Sequence, residues 1–192
     1  MNTPFSRVQI PYKEIYTYAD YAQLPEGAPY QLIGGKLVMT PAPTPRHQAI
    51  LRRLGVKMAN FVEEKGTGAV YFAPVDVYLQ ETEVLQPDIV FISRERFFII
   101  GAEKIEGAPD LVVEILSPST AYYDLRHKFK VYARCGVKEY WIVDPMEKSI
   151  EVYGGEGGQF TLIARAEGTG KVESRIIEGF AVELEEVFAE MP

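Results

Sequence analysis

Leu111-Val112-Val113-Glu114-Ile115-Leu116, then Ser117-Pro118-Ser119-Thr120, then a stretch with Leu125, Phe129 and Tyr132 at helical spacing: this run decides how the chain folds. Five apolar residues around one carboxylate leave no polar face, as in a strand covered on both sides. The Leu-Phe-Tyr spacing predicts a helix after the Ser-Pro turn, with Gly136 as its C-terminal stop. Glu139 to Val143 reads as the next strand. A strand–helix–strand unit of this kind, preceded by several strands, implies a mixed sheet with helices packed against it.

Working upstream, Thr17 to Leu24 predicts a short helix ended by Pro25 and Gly27. Tyr30 to Ile33 and Lys36 to Met39, separated by Gly34-Gly35, predict a β-hairpin with a two-residue loop. Thr40 to Pro45 is a stiff connector in which Thr44 serves as N-cap and Pro45 as first helical residue. Ile50, Leu51, Leu54, Met58, Phe61 and Val62 then mark one face of a helix that stops near Gly66. Ala69 to Phe72, Val75 to Leu79 and Pro87 to Ser93 read as extended, and Arg94 to Ala108 follows no clear period. Downstream, Ser149 to Tyr153 is a strand beyond the turn Asp144-Pro145. Gly154 to Gly158 is a hairpin turn leading to Gln159 to Ala164 and one more strand. The class is α/β in the α+β sense, one domain over 1–192 with a core of about 28–145 and a β extension and acidic tail over 146–192.

The chain of 192 residues, 47% hydrophobic and 24% charged, has globular composition. Its single cysteine, Cys135, excludes an internal disulfide and agrees with a cytoplasmic setting. The first residues lack the apolar core of a signal peptide, and no stretch approaches a membrane span. The net charge of −7 is concentrated in Glu173 to Pro192, which carries −5. Two segments are locally basic: Arg46, His47, Arg52, Arg53 and Lys57, and Arg126, His127, Lys128, Lys130 and Arg134. They read either as solvated helix faces or as contacts for phosphate.

Glu114 is the anomaly that carries chemistry. An unpaired carboxylate in an apolar sheet costs on the order of several kcal/mol, so it needs a lysine or arginine partner or a metal ion. Asp88, in Gln86-Pro87-Asp88, opens another buried-looking strand. If the two strands are neighbours, both carboxylates converge, and hard oxygen ligands of this kind suit Mg²⁺ or Mn²⁺. His47, His127 and Cys135 lie at no zinc-ligand spacing. Asp124, Lys128 and Tyr132, at i, i+4 and i+8, share one face of the following helix. Lys128 is therefore within reach of the carboxylates, where an ammonium balances charge on a phosphoryl group.

Pro87-Asp88, Glu114-Ile115-Leu116 and a helical Lys128 together resemble the PD-(D/E)XK nuclease superfamily with its lysine moved from strand to helix. More narrowly, several blocks resemble the Uma-type restriction endonucleases of bacteria. They are 30–37, Pro45-Arg46-His47-Gln48, Ala73-Pro74-Val75-Asp76-Val77, Gln86-Pro87-Asp88, and the run from Ala108 through Glu114, Ser117-Pro118-Ser119-Thr120 and Lys128 to Tyr140-Trp141-Ile142-Val143-Asp144-Pro145. The resemblance spans roughly residues 12 to 165. It implies a restriction-endonuclease-like fold and Mg²⁺- or Mn²⁺-dependent cleavage of DNA, with Asp88, Glu114 and the Ile115 carbonyl as metal ligands. Lys128 is then the catalytic lysine, Gln31, His47, Asp124 and Tyr132 are accessory, and a homodimer cuts the two strands. Where relatives carry glutamate this chain has Gln31, and their Asp-Gly-Glu-Leu pattern reads Gly34-Gly35-Lys36-Leu37. A metal-binding role for that glutamate would leave this site one charge short.

Asp76 reads as a strand residue facing solvent or a hydrogen bond. Asp110 echoes Pro-Asp88 but lies roughly 13 Å from Glu114 along an extended chain, so it reads as a turn residue. Trp141 and the 12 tyrosines are packing residues. Two other readings stay open: a nucleic-acid-binding domain that keeps the fold without cutting, and a homodimeric interaction module using the acidic tail and β extension.

Overall fold

The apolar and turn patterns resolve into two mixed sheets in a computed structural model, which describes residues 11–117 and 123–190, with the backbone alone at 123–125. In chain order the elements are α1 (Tyr18–Tyr21), β1 (Tyr30–Ile33), β2 (Lys36–Met39), α2 (Pro45–Lys65), β3 (Gly68–Phe72), β4 (Val77–Gln80), β5 (Glu83–Leu85) and β6 (Ile89–Ser93). A 3₁₀ turn (Arg94–Ile99) and β7 (Ile105–Glu106) follow, then β8 (Leu111–Ile115), a wide helical turn of π type (Tyr123–Lys128) and α3 (Phe129–Cys135). The C-terminal third holds β9 (Glu139–Asp144), β10 (Ser149–Glu156), β11 (Gln159–Glu167), β12 (Lys171–Glu173), β13 (Ala181–Glu183) and α4 (Leu184–Val187).

The larger sheet has the order β11-β10-β9-β8-β6-β3; only β8 and β9 in it run parallel, joined by the segment that contains α3. The smaller sheet has the order β2-β1-β5-β4-β7. Thr44 caps α2 as its spacing predicts, accepting the His47 N–H, and Gly66 ends the helix at φ 62. The apolar face of α2 (Ile50, Leu54, Met58, Val62) packs on Ile89, Phe91, Val113, Ile115, Trp141 and Val143 of the larger sheet. Each such side chain contributes about 2 kcal/mol by leaving water. On the opposite face, Val90, Ile92, Val112, Tyr140 and Ile142 pack on Val131 and Tyr132 of α3 and on Val77, Leu85 and Ile105 of the smaller sheet. Strand alternation therefore turns Glu114 with Val112 toward α3.

Several details differ from the sequence expectation. β5 was not foreseen: three residues are too few to show a period, and its first, Glu83, is a buried carboxylate. Arg94 to Ala108 resolves into the 3₁₀ turn and β7. The glycine-rich hairpin turn is tighter than Gly154 to Gly158, because β10 continues to Glu156 and only Gly157 and Gly158 take positive φ (59° and 77°). Residues 118–120 of the expected Ser-Pro turn and the side chains of Asp124 and Leu125 lie outside what the structure describes. Two basic residues of α2 bind the chain's own C-terminal segment. Arg53 donates to the Val187, Ala189 and Glu190 carbonyls, and Lys57 pairs with Glu186. No helix among the described residues is long and apolar enough to cross a membrane.

Candidate functional site

β6 and β8 are antiparallel neighbours with Ile89 opposite Val113. Asp88, the residue just before β6, and Glu114 of β8 both line one cleft. Local bonding fixes the arrangement: Oδ2 of Asp88 accepts the Ile115 N–H at 2.7 Å. Pro87 precedes Asp88 at the strand entry, where a missing N–H leaves the ladder intact.

Glu114 is 3% exposed, and its charge is met from the helical side. Lys128, also 3% exposed, places Nζ 2.9 Å from Oε1 of Glu114. The Tyr132 hydroxyl donates to the same oxygen at 2.7 Å. The i, i+4 spacing of Lys128 and Tyr132 predicted their shared face, and the fold brings both to Glu114. The wide turn that ends at Lys128 was not legible.

Asp88 is held from α2. His47, in the first turn of that helix, places Nε2 3.2 Å from Oδ1 of Asp88. The α2 N-terminus, Thr44 to Gln48, borders the site, so its partial positive charge faces the carboxylates. An anion approaching Asp88 meets the same field.

These groups open into one cleft of about 1310 Å³. Gln31 lines it and is 5% exposed. Its Oε1 accepts the Gln86 N–H at 2.9 Å and its Nε2 donates to Thr40 Oγ1 at 3.1 Å, a link that uses both ends of an amide. Asp76 also faces the cleft rather than bulk solvent. It accepts from the Tyr21 hydroxyl at 2.9 Å and from Gln86 Nε2 at 2.8 Å. Burial, reinforced by the Asp76 charge, pushes the Tyr21 hydroxyl far above its ordinary range and keeps it a donor. Sequence reading missed Tyr21, Thr40 and Gln86. Gln86 alone carried a signal, standing two residues before Asp88 in one of the blocks that carry the family resemblance.

Asp110 takes no part in this cleft. It lies in the bend before β8, as a turn residue would, and is fully buried there, with Lys138 at 2.7 Å, Arg96 at 3.1 Å and the Ser93 N–H at 2.8 Å. Burial alone would raise its pKa, but Lys138, the Ser93 N–H and Arg96 together hold it below the ordinary carboxylate value. Glu139 is likewise structural, accepting from Trp141 Nε1, Ser174 Oγ and the Arg175 N–H.

The chemistry of the donor set fits a hard divalent cation. Asp88, which accepts the Ile115 N–H, and Glu114 line one open cleft with room for water and a phosphate. Among the described residues no group of three or more His, Cys, Asp or Glu is arranged to hold a metal ion.

A family model, Uma2, described as "Putative restriction endonuclease", matches residues 18–185. A Synechocystis sp. protein described as uncharacterized, sll1609, is 23% identical over 159 residues, covering 81% of this chain and 89% of its own. A crystal structure from Anabaena variabilis, described as a putative nuclease belonging to DUF820, superposes with a TM-score of 0.75 at 21% identity. That match covers 90% of this chain and 97% of the other, so the two share a fold.

Proposed function

Because the chain belongs to the Uma2 family of restriction-endonuclease-like proteins, we propose that it is a divalent-metal-dependent endonuclease that hydrolyses phosphodiester bonds of DNA. One observation carries the reading: two acids, Glu114 on β8 and Asp88 just before the neighbouring β6, line one cleft, with an ammonium 2.9 Å from Glu114. Asp88, Glu114 and the Ile115 carbonyl would hold Mg²⁺ or Mn²⁺. Such an ion supplies positive charge to a phosphoryl oxygen and makes a neighbouring water easier to deprotonate. The chain's own groups do the remaining work. His47 and the Ile115 N–H fix the two oxygens of Asp88. Tyr132 fixes Glu114, and Lys128 balances negative charge as it builds at phosphorus. Action on both strands of a duplex calls for two copies of the site, so the functional form proposed is a homodimer.

A specific observation favours a second reading. Gln31 contributes a neutral amide, committed at both ends, to the cleft position where the resemblance places a glutamate. A nucleic-acid-binding domain that does not cut would have such a site. Plasmid incubated with wild-type protein in Mg²⁺, Mn²⁺ or chelator separates the two. Metal-dependent nicking that disappears in Glu114→Gln and Lys128→Met supports the endonuclease. Retarded but intact DNA under every metal supports the binding domain.

A further inference from the structure

Consecutive residues of the wide turn before α3 grip two different sheets. Lys128 reaches Glu114 on β8 of the larger sheet, whereas His127 places Nε2 3.0 Å from Oε1 of Glu83 on β5 of the smaller one. Glu83 is 2% exposed, and its other oxygen accepts the Gly34 N–H at 3.0 Å. Gly34 lies in the β1–β2 turn at φ 59, and a Cβ built there would stand 2.9 Å from Cε1 of His127. The imidazole thus packs directly on a backbone that has no room for a side chain. The hairpin ended by this turn also carries Gln31 of the cleft.

We propose that Glu83 and His127 are positioning residues: a latch between the sheets that holds the 123–128 turn so that Lys128 stays on Glu114. Glu83 does not line the cleft, yet it is a buried carboxylate whose burial is offset by its contacts with His127 and the Gly34 N–H, so those contacts are tightly coupled to its place in the sheet. A π-type turn is also a less regular way to enter a helix than an α-turn. With its neighbour anchored to Glu83, the lysine stem is directed inward; without that anchor, the turn is free to rewind and carry the ammonium toward water. In its consequence for cleavage, the latch rests on the endonuclease reading of Lys128. Its effect on Lys128 burial does not.

The test is amine labelling of the full-length protein with acetic anhydride, the Lys128 peptide being quantified by mass spectrometry against exposed Lys130. In wild type Lys128 labels slowly. His127→Ala, which removes ring and hydrogen bond, and His127→Phe, which keeps bulk but cannot bond Glu83, each raise Lys128 labelling on the order of tenfold by lowering the local opening free energy. His127→Gln, whose amide can donate to Glu83, restores protection. If the wild type nicks DNA, the same variants lower kcat with KM unchanged. A folded His127→Ala or His127→Phe protein with Lys128 as protected as in wild type overturns the latch. A wild type that never cuts DNA overturns the endonuclease reading and leaves the labelling result to decide the latch.

Discussion

Nζ of Lys128 lies 2.9 Å from Oε1 of Glu114, and both residues are 3% exposed. Two opposite charges withdrawn from water together cost far less than either alone. The pair explains how a strand buried on both faces tolerates a carboxylate, and why the following segment must deliver its lysine at this depth.

Removing one partner therefore leaves the other buried and uncompensated. Lys128→Met is expected to lower stability by about 3–5 kcal/mol. Adding Glu114→Gln recovers much of that loss, because a neutral amide can still accept from Tyr132. Urea unfolding of the two single variants and the double variant measures the coupling. Additive losses would contradict a direct pair.

Tyr132→Phe keeps the ring in the core and deletes one hydrogen bond to the same oxygen. The expected loss is about 2 kcal/mol, roughly 4–8 °C in Tm for a chain of this length. Scanning calorimetry checks it. An unchanged Tm would mean that the hydroxyl contributes nothing to holding Glu114.

The strand–helix–strand unit, the Gly34-Gly35 hairpin and the Thr44-capped helix were legible because each depends on local rules: apolar period, turn chemistry and capping. Asp88 and Glu114 were legible for a related reason, since a charge inside an apolar run is visible in one dimension. Their adjacency was conditional on strand order, which the fold supplies by pairing β6 with β8. Glu83 escaped notice because β5 is only three residues long and its partners, Gly34 and His127, are 49 and 44 positions away in sequence. The ion pairs of Asp110 were illegible for a similar reason. Its cations, Arg96 and Lys138, come from segments on either side of β8 that no spacing rule connects. The wide turn before α3 carries the same residues that an ordinary helix would, so the sequence does not distinguish them.

Asp110 also gives the protein an acid-sensitive contact. Its folded-state pKa lies below the unfolded value, so its stabilisation is complete above the ordinary carboxylate range and is lost as pH falls through the depressed folded value. Asp110→Asn is expected to be less stable than wild type at neutral pH by about 3 kcal/mol, with half-exposed Lys138 discounting a larger figure. The gap should narrow as both proteins are taken to acid. Chemical denaturation at several pH values reads this directly, and a gap that widened toward acid would reverse the sign.

The claim on which the function depends is that Asp88 and Glu114 share one divalent cation. Titration of Mn²⁺ into the purified protein, followed by electron paramagnetic resonance of the free ion, tests it without reference to cleavage. One Mn²⁺ bound per chain in the wild type, retained in Lys128→Met and lost in Asp88→Asn and Glu114→Gln while both still fold, is the predicted result. Binding that survives both carboxylate substitutions, or no binding by the wild type at millimolar Mn²⁺, would contradict it.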